Sequence, residues 1–207
     1  KISSAVPTLT SVTGTLFAGS ASTLTLAGTN FLSSNLIVNF AQTSDSINEN
    51  VTVTPSSDTA ASVAVPAAVY NNVTVGNAVT IKVTNSDGVQ SGGQNITASS
   101  LPSGGTVTNV GGYRYHTFNS STTFVNSVAS LSIEYLLVAG GGGGGGGNSG
   151  SAWAGGGGGA GGALDGTATL GAQSYSIVIG QGGSGDSAGS SGRGGTGQNS
   201  TAFGYTA

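Results

Sequence analysis

The sequence predicts an all-β protein: a sandwich of short strands, then a small β region and a glycine-rich module. Three observations carry that prediction. Short runs in which polar and apolar residues alternate recur along the first half of the chain, as they do in half-buried strands. No segment sustains a 3.6-residue apolar period, so helices should be rare. Glycine density rises sharply near position 140, with 28 of the 39 glycines in 140–207 and 11 before it.

The sandwich is assigned to residues 1–99. Thr23-Leu24-Thr25-Leu26-Ala27 alternates polar and apolar residues, and Gly28-Thr29-Asn30 supplies a turn. Leu36–Phe40, Val51–Thr54, Ser62–Val65 and Val79–Val83 follow as further strands. Asn85-Ser86-Asp87-Gly88 turns the chain again, and Asn95-Ile96-Thr97 closes the sheet. Pro7, Pro55 and Pro66 fall at strand ends, where a missing N–H is tolerated. About seven short strands in about 95 residues is the pattern of an immunoglobulin-like sandwich.

Residues 100–207 form the second predicted domain. Tyr113–Phe118 alternates as a strand, Asn119-Ser120-Ser121 turns it, and Thr122–Val125 is the expected return strand. Leu131–Ala139 is a third run, and pairing the three would give a small antiparallel sheet. Eight consecutive glycines, Gly140–Gly147, come next, then Gly155–Gly159 and Gly161-Gly162. Ser174–Ile179 is one more strand, and glycine-punctuated turns run on to Phe203.

Polyglycine has the largest ordering cost of any sequence, so one reading of these runs is a loose linker. The other is a set of extended helices of the polyglycine II kind, with three residues per turn, pairing N–H and C=O groups laterally. Strand-like flanks on both sides, and few polar residues inside the runs, favour the packed module. Collagen is excluded, because the Gly-X-Y triplet is not sustained and no proline follows Pro102.

Charge limits the partners. Only 5% of residues are charged, against about 25% in a typical domain. The four cations, Lys1, Lys82, Arg114 and Arg193, form no basic stripe, so nucleic acid is not an expected partner. The apolar run Leu136–Ala139 is far shorter than the roughly 20 residues a membrane helix needs. The absence of cysteine removes disulfides, thiolate metal sites and cysteine nucleophiles.

No motif assembles a reaction. Gly180-Gln181-Gly182-Gly183-Ser184-Gly185 fits a dinucleotide-loop pattern, but Asp186–Gly192 cannot supply the helix that such a loop opens. Gly182–Asp186 approaches a calcium-binding nonapeptide repeat, with the aspartate one residue early and no tandem copy. His116 is the sole histidine and reads as a strand residue rather than a triad base. A carboxylate pair for glycoside hydrolysis would have to come from residues such as Glu134, Asp165 and Asp186, which spacing alone does not place together and no surrounding motif favours. No catalytic, cofactor or metal residue is therefore assigned. The five Asn-x-Ser/Thr sequons, at Asn50, Asn72, Asn95, Asn119 and Asn199, are what so much Asn, Ser and Thr would supply by chance. Aromatic residues can stack on sugars, and Trp153, Tyr113, Tyr115 and Tyr205 are the candidate glycan or receptor contacts, with Tyr175 and Phe203 as weaker ones.

Two resemblances add to this reading. Thr23-Leu24-Thr25-Leu26-Ala27-Gly28-Thr29-Asn30-Phe31, Val38-x-Phe40, Val65-Pro66 and Val83-Thr84-Asn85-Ser86-Asp87-Gly88 resemble an IPT/TIG domain, which implies an immunoglobulin-like spacer or binding platform. His116-Thr117-Phe118, Glu134–Gly142, Gly155–Gly162, Tyr175–Gly183 and Asn199–Gly204 resemble, in order, the glycine-rich domain of phage tail fibre and tail-associated proteins. That resemblance implies a virion surface protein, non-enzymatic, homo-oligomeric or docked on other fibre subunits, with a further glycine run beyond Ala207. The expected function is a structural fibre or spike subunit contributing to assembly and host attachment. The alternative is an adhesin of a phage, or a secreted or bacterial cell-surface protein, that binds a host glycan or protein receptor.

Overall fold

A computed structural model describes residues 5–148, 154–187 and 192–207. The protein is nearly all β, and it divides into two compact units, Lys1–Leu101 and Pro102–Ala207.

The first unit is a seven-stranded sandwich. One sheet orders β1 (Thr8–Thr13), β2 (Thr23–Thr29) and β5 (Ala60–Ala64). The other orders β4 (Ile47–Val53), β3 (Leu36–Gln42), β6 (Ala78–Thr84) and β7 (Gln94–Thr97), all pairs antiparallel. Alternation drives the packing. Leu24 and Leu26 on β2 point inward, as do Leu36, Val38 and Phe40 on β3 and Val79, Ile81 and Val83 on β6. These side chains from both sheets share one core with Ala61 and Val63 of β5. A single helical turn, α1 (Ala67–Tyr70), follows Pro66 and buries Val69 against that core.

The two turn clusters singled out in the sequence meet in space. Asn85, only 1% exposed, donates from Nδ2 to the Asn30 carbonyl (2.8 Å) and accepts from the Leu32 amide at Oδ1 (3.1 Å). Its own backbone closes the Asn85–Gly88 turn, where Gly88 N donates to Asn85 O (2.9 Å). Gly28 lets β1 pass close by, since a Cβ there would run into the Thr8 carbonyl and the buried Phe31 ring. The asparagine thus ties the loop after β2 to the turn after β6.

In the second unit the strand pairing departs from the sequence expectation. β8 (Thr106–Val110) pairs with β9 (Tyr113–Thr117), β10 (Thr122–Asn126) with β13 (Gln173–Ile177), and β11 (Leu131–Val138) with β12 (Ala163–Leu170). The three runs at 113–118, 122–125 and 131–139 do not form a sheet with one another. Gly111 and Gly112 both adopt positive φ, 60° and 83°, which suits a two-residue turn and gives β9 the preceding segment as its partner. A second tight hairpin joins β14 (Thr201–Ala202) and β15 (Tyr205–Thr206) through Phe203 and Gly204 at φ 55° and 87°.

A small core fills this unit. Phe124, Leu137, Leu170, Ile177 and Ala202 are buried, with Phe118, Tyr175 and Phe203 packed around them. Phe124 stands edge-on to Phe118 (6.4 Å) and Phe203 (5.7 Å), and Tyr175 edge-on to Phe203 (5.5 Å), the geometry that aligns ring edges with π faces. Asn126 is buried beside it and donates to the Val128 and Gly171 carbonyls (2.9 and 2.8 Å) while accepting from Val128 N (2.9 Å).

Candidate functional site

Among the described residues the glycine runs pair as four rods, at 139–146, 154–162, 180–187 and 192–198. The first rod continues β11 and is surrounded by the other three. Ala139, Gly142 and Gly145 donate to Gly162, Gly159 and Gly156 of the second rod. Gly140, Gly143 and Gly146 donate to Gln198, Gly195 and Gly192 of the fourth. The Gly141 and Gly144 carbonyls accept from Gly183 and Asp186 of the third. Each neighbour is reached every third residue, so the chain makes one turn per three residues, as in polyglycine II. The second and fourth rods run antiparallel to the first and the third runs parallel to it. The third and fourth also bond each other, Gly195 N to Ser184 O (2.7 Å) and Gln198 N to Gln181 O (2.8 Å). The residues favoured as a packed module are packed.

Only glycine permits this approach. A Cβ on Gly140 or Gly143 would collide with the carbonyls of Gln181 or Ser184, and one on Gly155, Gly158 or Gly161 with those of the first rod. Gly180 and Gly183 face Gln198 and Gly195 in the same way, and Gly194 and Gly197 face Gly143 and Gly140. The dinucleotide-like stretch at 180–185 is therefore one lattice rod, its glycines placed by the threefold period, and no helix follows within residues 186–187.

Ser200, buried, clamps the base of the lattice. Its Oγ donates to the Val138 carbonyl where β11 ends (2.7 Å) and accepts from Gly180 N where the third rod starts (2.9 Å). Ser121 Oγ accepts from Ile179 N (2.9 Å), and Ala207 pairs its backbone with Ser200 on both sides. Sequence reading missed both serines and β12, because Ala-Leu-Asp-Gly-Thr-Ala carries too little apolar alternation to mark a strand.

The candidate aromatic contacts separate. Tyr113 and Tyr115 project from one side of β9, 60% and 50% exposed, with ring centroids 6.2 Å apart and planes at 44°. Val110, opposite Tyr113 in the hairpin register, is exposed beside them. Tyr205 stacks instead on Tyr135, 4.7 Å apart and 26° from parallel. Partial burial, then the adjacent Tyr205, raise the Tyr135 phenol above its ordinary value. Tyr175 and Phe203 belong to the core cluster. Trp153 lies outside the described residues.

The residues considered for chemistry do not converge. His116 Nδ1 bonds the Gly104 carbonyl (2.8 Å) and its ring stands edge-on to Phe124 (5.1 Å), a packing position. Glu134 and Asp165 lie diagonally on the exposed face of the β11–β12 ribbon, and Asp186 caps Ser187 N (2.9 Å) on the third rod. Among the described residues no three of His, Asp and Glu gather as a metal site would require. A shallow depression of about 300 Å³, lined by Gly105, Thr117, Phe118 and Asn119 among others, has no charged group on its wall. No helix among the described residues is long and apolar enough to cross a membrane.

No curated protein and no solved structure matches the chain. Residues 117–207, which contain the four rods and the strands that carry them, match the family described as a glycine-rich domain.

Proposed function

We propose that this chain is a structural subunit of a virion surface, a phage tail fibre, spike or capsid-attached fibre, that contributes to assembly and host attachment without catalysing a reaction. The observation that supports this most is the threefold lattice. A central rod bonded through its backbone to three others gives a stiff module that needs no charged groups, suited to bearing a load or holding loops at a distance. The glycine-rich match supports the same reading, as does the resemblance of the motif order to tail fibre domains. The sandwich, with its IPT/TIG-like turn pair tied by Asn85, serves as the spacer. Peptides of this chain should appear when purified particles encoded with it are digested and analysed by mass spectrometry. Their absence from every particle fraction would overturn the assignment.

A second reading, a glycan- or receptor-binding adhesin, is favoured by one observation. The exposed Tyr113–Tyr115 pair lies before the matched residues 117–207, on a hairpin outside the glycine rods. Offset tyrosine rings make amphipathic contact area at low entropy cost. In whole-cell and glycan-array binding by the intact protein, Tyr113→Ala with Tyr115→Ala should lower binding roughly tenfold if the pair is the contact. Unchanged binding would remove the hairpin from the adhesive surface.

A further inference from the structure

The β8–β9 ribbon has two unlike faces. Val107 and His116, paired across it, are the half-buried residues, and the His116 ring stands edge-on to Phe124. Alternation then sends Tyr113, Tyr115 and Thr117 outward from β9, and their partners Val110, Thr108 and Thr106 outward from β8. All six are exposed, and none is charged. Arg114, the cation between the two tyrosines, leaves β9 on the opposite face.

The outward face does not stop where the ribbon does. Its last pair, Thr106 and Thr117, also lines the shallow depression of about 300 Å³. Asn119, Ser120 and Thr122 supply most of the remaining lining, with Phe118 as its one ring. Hydroxyls and an amide thus dominate the wall, again without charge. Among the described residues no protein group bonds the side chains of Asn119, Ser120 or Thr122, so their donors and acceptors are open to a ligand. Two tyrosine rings side by side lead into a polar hollow on one uncharged surface.

We propose, resting on the adhesin reading, that this surface binds a neutral oligosaccharide, stacked on Tyr113 and Tyr115 and hydrogen-bonded in the depression. A pyranose ring is amphipathic: the C–H bonds of its face suit an aromatic ring, and the hydroxyls of its rim suit hydroxyl and amide side chains. Both halves of that chemistry meet here, in the order a chain of sugars would cross them. Sialate, uronate or sulfate groups would need a cation, and this face has none. The tyrosine planes differ by 44°, so they form no flat shelf. They suit a soluble chain whose successive rings turn relative to one another.

The test is a glycan array probed with the intact protein, carrying neutral hexose and N-acetylhexosamine oligosaccharides beside sialylated, uronate-containing and sulfated ones. Neutral oligosaccharides should be bound. Titration of the tightest-bound of them should give an affinity unchanged from about 50 to 500 mM salt, since no ion pair contributes. Tyr115→Ala should weaken that affinity roughly tenfold, and Tyr115→Phe, which keeps the ring, should retain most of it. Asn119→Ala with Ser120→Ala, at exposed positions, should keep the melting profile and weaken binding about fivefold or more. Should that double variant melt early, the Tyr115→Ala and Tyr115→Phe comparison decides alone. Binding of acidic glycans only, loss of affinity with added salt, or full affinity in the folded double variant would each overturn the assignment. An empty array with undiminished whole-cell binding would overturn it too, while leaving the adhesin reading in place. Failure to bind cells and array alike would end both.

Discussion

The two units reach order by opposite routes. In the sandwich the backbone ladders are ordinary and the stability comes from side chains, Phe40, Leu24 and Ile81 meeting between two sheets. In the glycine module the lattice has few side chains, and the same role falls to backbone groups, with the first rod bonded to three others. The contrast shows that low hydrophobicity does not by itself mean a loose chain. Residues with the highest ordering cost can be held where a missing Cβ lets a neighbouring backbone approach closely enough to bond. It also shows where each unit is vulnerable: one to removal of atoms, the other to their addition.

That asymmetry can be broken deliberately. The largest effect should come from Phe40→Ala, which leaves a cavity in the centre of the sandwich and should cost about 3–5 kcal/mol. Calorimetry should show the transition of the first unit falling while that of the second holds its midpoint. Gly143→Ala is the mirror experiment, the addition of one methyl against the Ser184 carbonyl. It should cost roughly 3 kcal/mol through displaced rods and lost backbone bonds, read as a lowered second-unit transition with the first unchanged. A smaller loss in the first unit, about 1–3 kcal/mol, is expected for Asn85→Ala, because the Leu32 amide and Asn30 carbonyl lose their buried partner. Denaturant titration followed by the near-ultraviolet signal would register it as a shifted midpoint with an unchanged slope.

The smallest effect is electrostatic and again belongs to the side-chain-built unit. Asp45 accepts from Thr74 N (2.9 Å), Asn77 Nδ2 (3.0 Å) and Thr74 Oγ1 (3.0 Å), and the backbone bond from Thr74, followed by Asn77, holds its carboxyl below the ordinary value of 3.8. A lowered folded-state value means the contribution is present above the unfolded pKa and lost as pH falls below it. Thermal midpoints of the first unit should therefore decline less between neutral pH and pH about 3 in Asp45→Asn than in the wild type. An identical decline would show that other carboxylates account for acid sensitivity.

Much of the sandwich was legible because its strands alternate. Leu24-x-Leu26, Val38-x-Phe40 and Val79-x-Ile81-x-Val83 place one face inward whatever their partners, and each became a core strand. The hairpin between β14 and β15 was not, since two-residue strands leave no period to detect. Nor was the pairing of β9, β10 and β11, which depends on the glycine turn at 111–112 and on strands far along the chain. Of the candidate contacts, Tyr113 and Tyr115 could be paired from their i, i+2 spacing on a strand, whereas the stacking of Tyr205 on Tyr135 joins residues 70 positions apart in the hairpin's tertiary setting.

Composition and periodicity alone determined the all-β class, the inward faces of the first unit, and the requirement that glycine runs either stay loose or pair through their backbones. Only the tertiary structure decided between those two, because the choice rests on partners that arrive from elsewhere. Gly143 cannot show in its own sequence that Gly195 will accept its N–H or that Ser184 will occupy the space of its missing Cβ. It also distinguished the glycines whose added Cβ would strike a neighbour from Gly156 and Gly159, where it would meet nothing within 4 Å. A side chain announces its preference locally, but its absence acquires meaning only from what comes to fill the gap.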